Sequence, residues 1–108
     1  MRFLALDLSL DMTSSLRPLL SSLRRHDSNL ADQVQRAATS VALNLGEGQR
    51  RHGKDQGRFF RIASGSAEEV RVALRVAEAF GFVEPERFAD TVDKIDHIVA
   101  ILHKISKR

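Results

Sequence analysis

The sequence predicts an all-α protein, an up-down-up-down antiparallel four-helix bundle, on three observations. Its 108 residues include only two prolines and six glycines, which leaves long stretches without a helix breaker. Within those stretches apolar residues recur at three- and four-residue spacing in four separate segments. Only a few residues separate one segment from the next, and short connections make sequential helices antiparallel neighbours. With 43% hydrophobic residues the chain supports a single domain, residues 1–108, with no linker, repeat or low-complexity tract.

The first helix is predicted over about residues 6–25, where Leu8, Met12, Leu16, Leu19, Leu20 and Leu23 form one stripe and Pro18 marks a kink. Leu4, Leu6, Leu8 and Leu10 alternate as a strand would, but no second strand pattern exists to pair with them. Ser28 or Asn29 is the expected N-cap of the second helix, which continues through Leu30, Val34, Ala37, Ala38, Val41 and Leu45 and ends before Gly53. The third starts near Asp55, carries Phe59, Ile62, Ala63, Ser66, Ala67, Val70, Leu74 and Ala77 inward, and stops at Gly81, a natural residue for the left-handed turn past a helix end. The fourth opens with Pro85 in its first turn and steps inward through Phe88, Val92, Ile95, Val99 and Leu102. Helices of this size give a bundle roughly 30 Å long. Beside the fourth stripe, Ile98, Ile101 and Ile105 widen the apolar arc, which fits either a subunit interface, for which these three are the candidates, or a generously buried core helix in a small protein.

The absence of cysteine excludes disulfide scaffolds, Cys-ligated zinc, iron–sulfur centres and thiol nucleophiles, and agrees with a cytoplasmic chain. Asp7 and Asp11 interrupt the apolar N-terminus, so it does not read as a secretory signal. No apolar run approaches the roughly 20 residues that span a bilayer, so no membrane partner is expected.

Gly48-Gln-Arg-Arg-His-Gly53-Lys54 matches the first seven places of a phosphate-binding loop. Asp55 stands where the metal-binding Ser or Thr belongs, however, and the segment follows a helix where such a loop follows a strand. Di-iron bundles need Glu-x-x-His pairs, and no Glu here has His three residues later. His26, His52, His97 and His103 are scattered, and Asp93 with His97 reads as a solvated face. No cofactor, metal site or catalytic group is predicted, and the protein is not expected to be an enzyme.

Charge is more informative. The chain carries a formal +3, yet residues 50–61 hold Arg50, Arg51, Lys54, Arg58 and Arg61 against Asp55 alone, a local +4. Antiparallel topology places this turn at the same end as the start of the first helix and the end of the fourth, which add Arg2, Lys104, Lys107 and Arg108. The opposite end gathers Asp27, Asp32, Glu78, Glu84, Glu86 and Asp90 against Arg24, Arg25 and Arg87. A basic end suits phosphate oxygens and predicts salt-sensitive, sequence-independent binding of RNA or DNA through Arg50, Arg51, Lys54, Arg58, Lys104, Lys107 and Arg108. Bases in the last turn of a helix are also favoured by its dipole alone. Phe59 and Phe60 interleave with Arg58 and Arg61 but fall within the inward arc of the third helix, so both read as core.

The segments Arg36-Ala-Ala-Thr-Ser-Val-Ala-Leu-Asn44-Leu-Gly-Glu47-Gly48-Gln-Arg-Arg51 and Phe59-Phe-Arg61-Ile-Ala-Ser-Gly65-Ser66-Ala-Glu68-Glu69 closely resemble the signature of a bacterial four-helix-bundle family. That family includes proteins encoded within intervening sequences of large-subunit ribosomal RNA genes. The likeness is strongest over about residues 30–75, and the family's usual aromatics in the first helix are missing. The resemblance implies a cytosolic homo-oligomer, a ring of five bundles, with no established enzymatic activity. A related branch comprises accessory proteins to the reverse transcriptases of diversity-generating retroelements, in which a basic ring surface is implicated in engaging nucleic acid and the polymerase.

The signature also has a physical reading. In a hairpin centred near Gly53, residues whose numbers sum to about 106 face each other, which brings Glu47 to Arg61, Arg36 to Glu69, and Asn44 to the segment from Ala63 to Ser66. Arg36, Asn44, Glu47, Arg61, Ser66 and Glu69 are thus expected to form a structural polar network that sets register. Two functions remain open on the sequence: an oligomeric nucleic-acid-binding module, and a scaffold that recruits a polypeptide partner.

Overall fold

The computed structural model describes residues 3–106 and is a bundle of four α-helices: α1 (Leu4–His26), α2 (Ser28–Gln49), α3 (Gly53–Ala79) and α4 (Ala89–Ser106). Sequential helices pack side by side and α4 closes the square against α1. The bundle measures 42 × 22 × 22 Å, longer than expected, because α3 alone has 27 residues and a helix rises about 1.5 Å per residue.

The leucines near the N-terminus are helical. Leu4 and Leu10 are exposed and Leu6 and Leu8 half-buried, so their alternation distributes them around α1, while Ala5, Ser9, Met12, Leu16, Leu19 and Leu23 enter the core. Pro18 lies within the helix, and both it and Ser14, whose carbonyl loses its helical donor, are exposed. The cap of α2 is Asp27, one residue before the expected position. Its backbone N–H donates to the Leu23 carbonyl (2.8 Å), closing α1, and its carboxylate accepts from the Leu30 N–H (3.0 Å), opening α2.

α3 ends as expected at Gly81, which takes φ +77°. The Gly81 N–H donates to the Glu78 carbonyl and the Phe82 N–H to the Ala77 carbonyl, each at 2.9 Å, the paired closure of a Schellman motif. Pro85 does not open α4. It starts a separate 3₁₀ turn, Pro85–Arg87, and Phe88 breaks the path before α4 begins at Ala89. This offset lets Val83 and Phe88 both turn into the core and plug that end of the bundle.

Val34, Val41 and Leu45 of α2, Val70 and Leu74 of α3, and Ile95, Ile98 and Leu102 of α4 complete the core. Ser15 and Thr91 share a hydrogen bond of 2.7 Å across α1 and α4, so the buried Thr91 hydroxyl is satisfied. The tightest helix contact is at Gly48. A Cβ placed there would lie 2.6 Å from a Phe60 ring carbon and 3.1 Å from the Phe59 Cβ. Gly46, by contrast, has nothing within 4 Å of a Cβ position.

These two glycines make a matched test. Gly48→Ala forces the buried Phe60 ring out of place at about 1–3 kcal/mol, more than the ~1 kcal/mol of helix propensity that alanine returns. Gly46→Ala keeps the propensity gain without the clash. Thermal unfolding of the two variants is expected to show a lowered midpoint for the first and a raised one for the second.

Candidate nucleic-acid interface

The turn between α2 and α3 is built by its own backbone. Past Gln49 the Arg50 and Arg51 N–H groups donate to the Glu47 and Gly48 carbonyls at 3.1 and 3.0 Å. Gln56 reaches back from α3, its Nε2 donating to the carbonyls of Gly48 (3.1 Å), which thereby gains a second donor, and Arg51 (3.0 Å). Gly53, at φ +57°, takes the left-handed conformation that lets α3 start.

Onto this turn the sequence places a chain of alternating charge. Glu47 accepts from Arg50 Nη2 (3.1 Å) and Arg51 Nε (2.8 Å), and Asp55 accepts from Arg51 Nη1 and Arg58 Nη2, each at 3.0 Å. The Arg51 guanidinium, followed by that of Arg50, holds the Glu47 carboxyl below its ordinary value, and Arg58 does the same for Asp55. The local +4 is therefore reduced, because Glu47, outside the segment in which it was counted, returns to meet two of the arginines. Arg51 and Arg58 also lie over the Phe59 ring, with guanidinium carbons 5.3 and 4.5 Å from its centroid. Phe60 is core as expected, but Phe59 is half-exposed between two cations.

Lys54, Arg61 and Lys104 are exposed and make no ion pair among the described residues. Lys54 and Arg61 border an open cleft of about 740 Å³ between the start of α3 and the end of α4. Lys54, Gly57, Phe60 and Arg61 line one side and Val99, Leu102, His103 and Ile105 the other; Lys104 lies at the same end of α4 but is not part of the lining. Lys107, Arg108 and Arg2 lie outside the described residues. The opposite end does gather acids, but Asp32 pairs with Arg24 (2.6 Å), Asp90 with Lys94 (2.9 Å) and Glu78 with Arg75 (3.7 Å).

The expected polar network forms only in its middle. Ser40 and Ser66 share a hydrogen bond of 2.8 Å between α2 and α3, and Asn44 Nδ2 donates to the Ser40 carbonyl and hydroxyl at 2.8 and 3.0 Å. Ser40 and Ser66 sum to 106, so the hairpin register is as predicted. Glu47 does not reach Arg61, since Arg50 and Arg51, three and four residues away on its own chain, meet it first. Arg61 instead folds over Gly57 and faces the cleft. Arg36 and Glu69 are exposed and no ion pair joins them among the described residues.

Of the three helix-four isoleucines, Ile98 is fully buried in the bundle core, which removes it from any outer surface and favours the core reading there, while Ile101 and Ile105 are half-buried against that core. Two further features were missed. Arg71 bridges Glu68 on α3 (3.0 Å) and Asp96 on α4 (2.5 Å), and His26, Phe82 and Phe80 stack in series with centroids 5.0 and 5.3 Å apart. The i,i+3 spacing of Glu68 and Arg71 signalled half of the first; the second depends on the turn after Gly81. Among the described residues no group of three or more His, Cys, Asp or Glu is placed to hold a metal, and no helix is long and apolar enough to cross a membrane.

The profile of the 23S rRNA-intervening sequence protein family matches residues 4–104, nearly the whole chain and all four helices. The chain belongs to the 23S rRNA-intervening sequence protein family. The same architecture occurs in a crystal structure of a protein of unknown function from the S23 ribosomal protein family of Bacteroides thetaiotaomicron. That structure superposes with a TM-score of 0.83 at 19% sequence identity, covering 96% of this chain and 99% of that one. No match was found among curated proteins. Neither description names a catalytic activity. In this intervening-sequence protein the family signature spans the Gly48–Phe60 contact, the Ser40–Ser66 bond and the charged turn, the parts of α2 and α3 that hold the hairpin together.

The charged turn yields a pH prediction. Because the Glu47 and Asp55 carboxyls are lowered in the folded protein, their ion pairs contribute stability above the ordinary carboxylate values of 4.5 and 3.8, and lose it as pH falls through the depressed ones. The stability gap between wild type and Glu47→Gln is expected to be constant near neutrality and to shrink below about pH 4.5. Both groups are partly exposed, so added salt should narrow the gap as well. Chemical denaturation of the two proteins across pH measures it.

Proposed function

We propose that this intervening-sequence protein is a non-enzymatic module that binds the phosphate backbone of RNA or DNA through the α2–α3 end of its bundle. One observation supports the reading: Lys54 and Arg61, exposed cations with no acidic partner among the described residues, line a single cleft, and Lys104 is a third such cation on the same end of α4. Arg50, Arg51 and Arg58 form a second tier. Their charge is partly spent on Glu47 and Asp55, but each guanidinium keeps donors for phosphate oxygens, which arginine meets bidentately. Phe59, set between Arg51 and Arg58, offers a ring face beside those donors for stacking a base.

The contacts are to phosphate, so affinity is expected to be weak per chain, tolerant of sequence and steeply dependent on salt. In a homo-oligomer with parallel bundle axes the same end is repeated on one face, and weak contacts become multivalent. The family resemblance supports a ring of five in the cytoplasm as that oligomer. A scaffold that recruits a polypeptide is the second reading, favoured by the exposed apolar side chains of α2 and α3.

The test is binding of single- and double-stranded oligonucleotides over a salt series, with wild type and a Lys54→Ala, Arg61→Ala, Lys104→Ala triple variant. Loss of three phosphate contacts lowers the slope of log affinity against log salt by about 2–3. A parallel Arg50→Ala, Arg51→Ala, Arg58→Ala variant is expected to lose affinity with a smaller change in slope. No binding at low salt, or a slope unchanged in the first variant, contradicts the proposal.

A further inference from the structure

The cleft between α3 and α4 has two unlike walls. Lys54, Gly57 and Arg61 make the α3 wall polar and cationic. The α4 wall is apolar: Val99, Leu102 and Ile105 line it, three residues apart and so along one face of the helix. Leu102 is buried, whereas Val99 and Ile105 are only half-buried where they border the cleft.

The cations leave the space between the walls open. A Cβ on Gly57 would come within 3.3 Å of Arg61 Nη1, so the Arg61 guanidinium lies back along its own helix, one turn toward the start of α3. It stays on the α3 wall and does not cover the apolar one. Lys54 and Arg61 stand two helical turns apart on that wall, about 10 Å, which suits separate phosphates of one strand.

Phosphate contacts alone leave the α4 wall unused. In a duplex the bases are stacked and paired, so sugar and phosphate are what a duplex offers to such a cleft. An unpaired nucleotide has both matching halves: an anionic phosphate for Lys54 and Arg61, and a flat base with an apolar face for Val99, Leu102 and Ile105. The volume of about 740 Å³ is in the range of clefts that enclose a small ligand. We infer that this cleft holds an unpaired nucleotide of a single strand, its phosphates on Lys54 and Arg61 and its base against the apolar wall of α4. The inference rests on the phosphate-binding reading above and makes the module a reader of single strands in preference to duplexes.

Fluorescence anisotropy of the full chain at low salt tests it with three oligonucleotides of equal length: a single strand, its duplex, and the same strand carrying abasic sites, which keeps its phosphates and loses bases. The single strand is expected to bind at least about tenfold more tightly than the other two, the scale of stacking one base. Electrostatics alone predicts the reverse order for the duplex, which releases more counterions per phosphate. Val99→Gln and Ile105→Gln, at half-buried positions, are expected to erase the preference while leaving duplex affinity and helical circular dichroism unchanged. Ile105, one residue from the end of α4, carries this test alone if Val99→Gln loses helicity. Both variants keep the Phe59 ring, so a preference that arises there survives them and overturns the inference. A free nucleoside monophosphate, with one phosphate, is expected to compete at least about tenfold less well than the strand, and equal competition overturns the assignment to a strand. Equal binding of the duplex or of the abasic strand overturns this inference alone, whereas no binding of any oligonucleotide overturns the phosphate-binding reading as well.

Discussion

The close approach of α2 to α3 at Gly48 is the constraint on which the rest of the structure depends. Because residue 48 has no side chain, the Phe60 ring packs directly on the α2 backbone, and the two helices are clamped at their shared turn. Everything at that end follows from the clamp. Gln56 comes within reach of the α2 carbonyls, the turn residues Arg50 and Arg51 fold back on Glu47, and Ser40 meets Ser66 two helical turns farther along. A hairpin splayed by one side chain at this point would lose the Gln56 bridges together with the register.

Register then determines electrostatics. Lys54 and Arg61 are on the side of α3 that borders α4, where the cleft lies, while Glu69 and Ile62 are on the side that borders α2. The acids near the turn have a related effect. Glu47 and Asp55 offset self-repulsion among Arg50, Arg51 and Arg58 and hold those guanidiniums at set positions around Phe59, which reduces the ordering cost of a contact with phosphate.

The helices and the hairpin register were legible in the sequence because both rest on spacing, which a chain displays directly. The leucine ladder of α1, Gly81 and the sum rule that pairs Ser40 with Ser66 needed no three-dimensional information. What was not legible was competition between partners. Opposite position predicted Glu47 with Arg61, but a carboxylate with arginines three and four residues away pairs locally at a lower entropic cost. The breadth of the apolar arc on α4 was visible, yet not its cause. Ile98 faces the centre of a square of four helices, and that position demands a wider buried arc than a two-helix contact does. Ile62 fits the inward stripe of α3 by spacing, yet it stands at the outer edge of that stripe and is exposed, because the helix buries a narrower arc than the spacing allows. Pro85 reads as a helix start by local rules, and tertiary burial of Val83 and Phe88 overrides them.

The central claim is that the α2–α3 end meets phosphate, and residue-resolved amide shifts on titrating a short single-stranded oligonucleotide into the labelled protein test it most directly. Perturbations are expected to concentrate in residues 50–61 and 99–105, the two arms of the cleft, and to fade as salt is raised. Shifts confined to the Gly81 end, or spread evenly along all four helices, would contradict it.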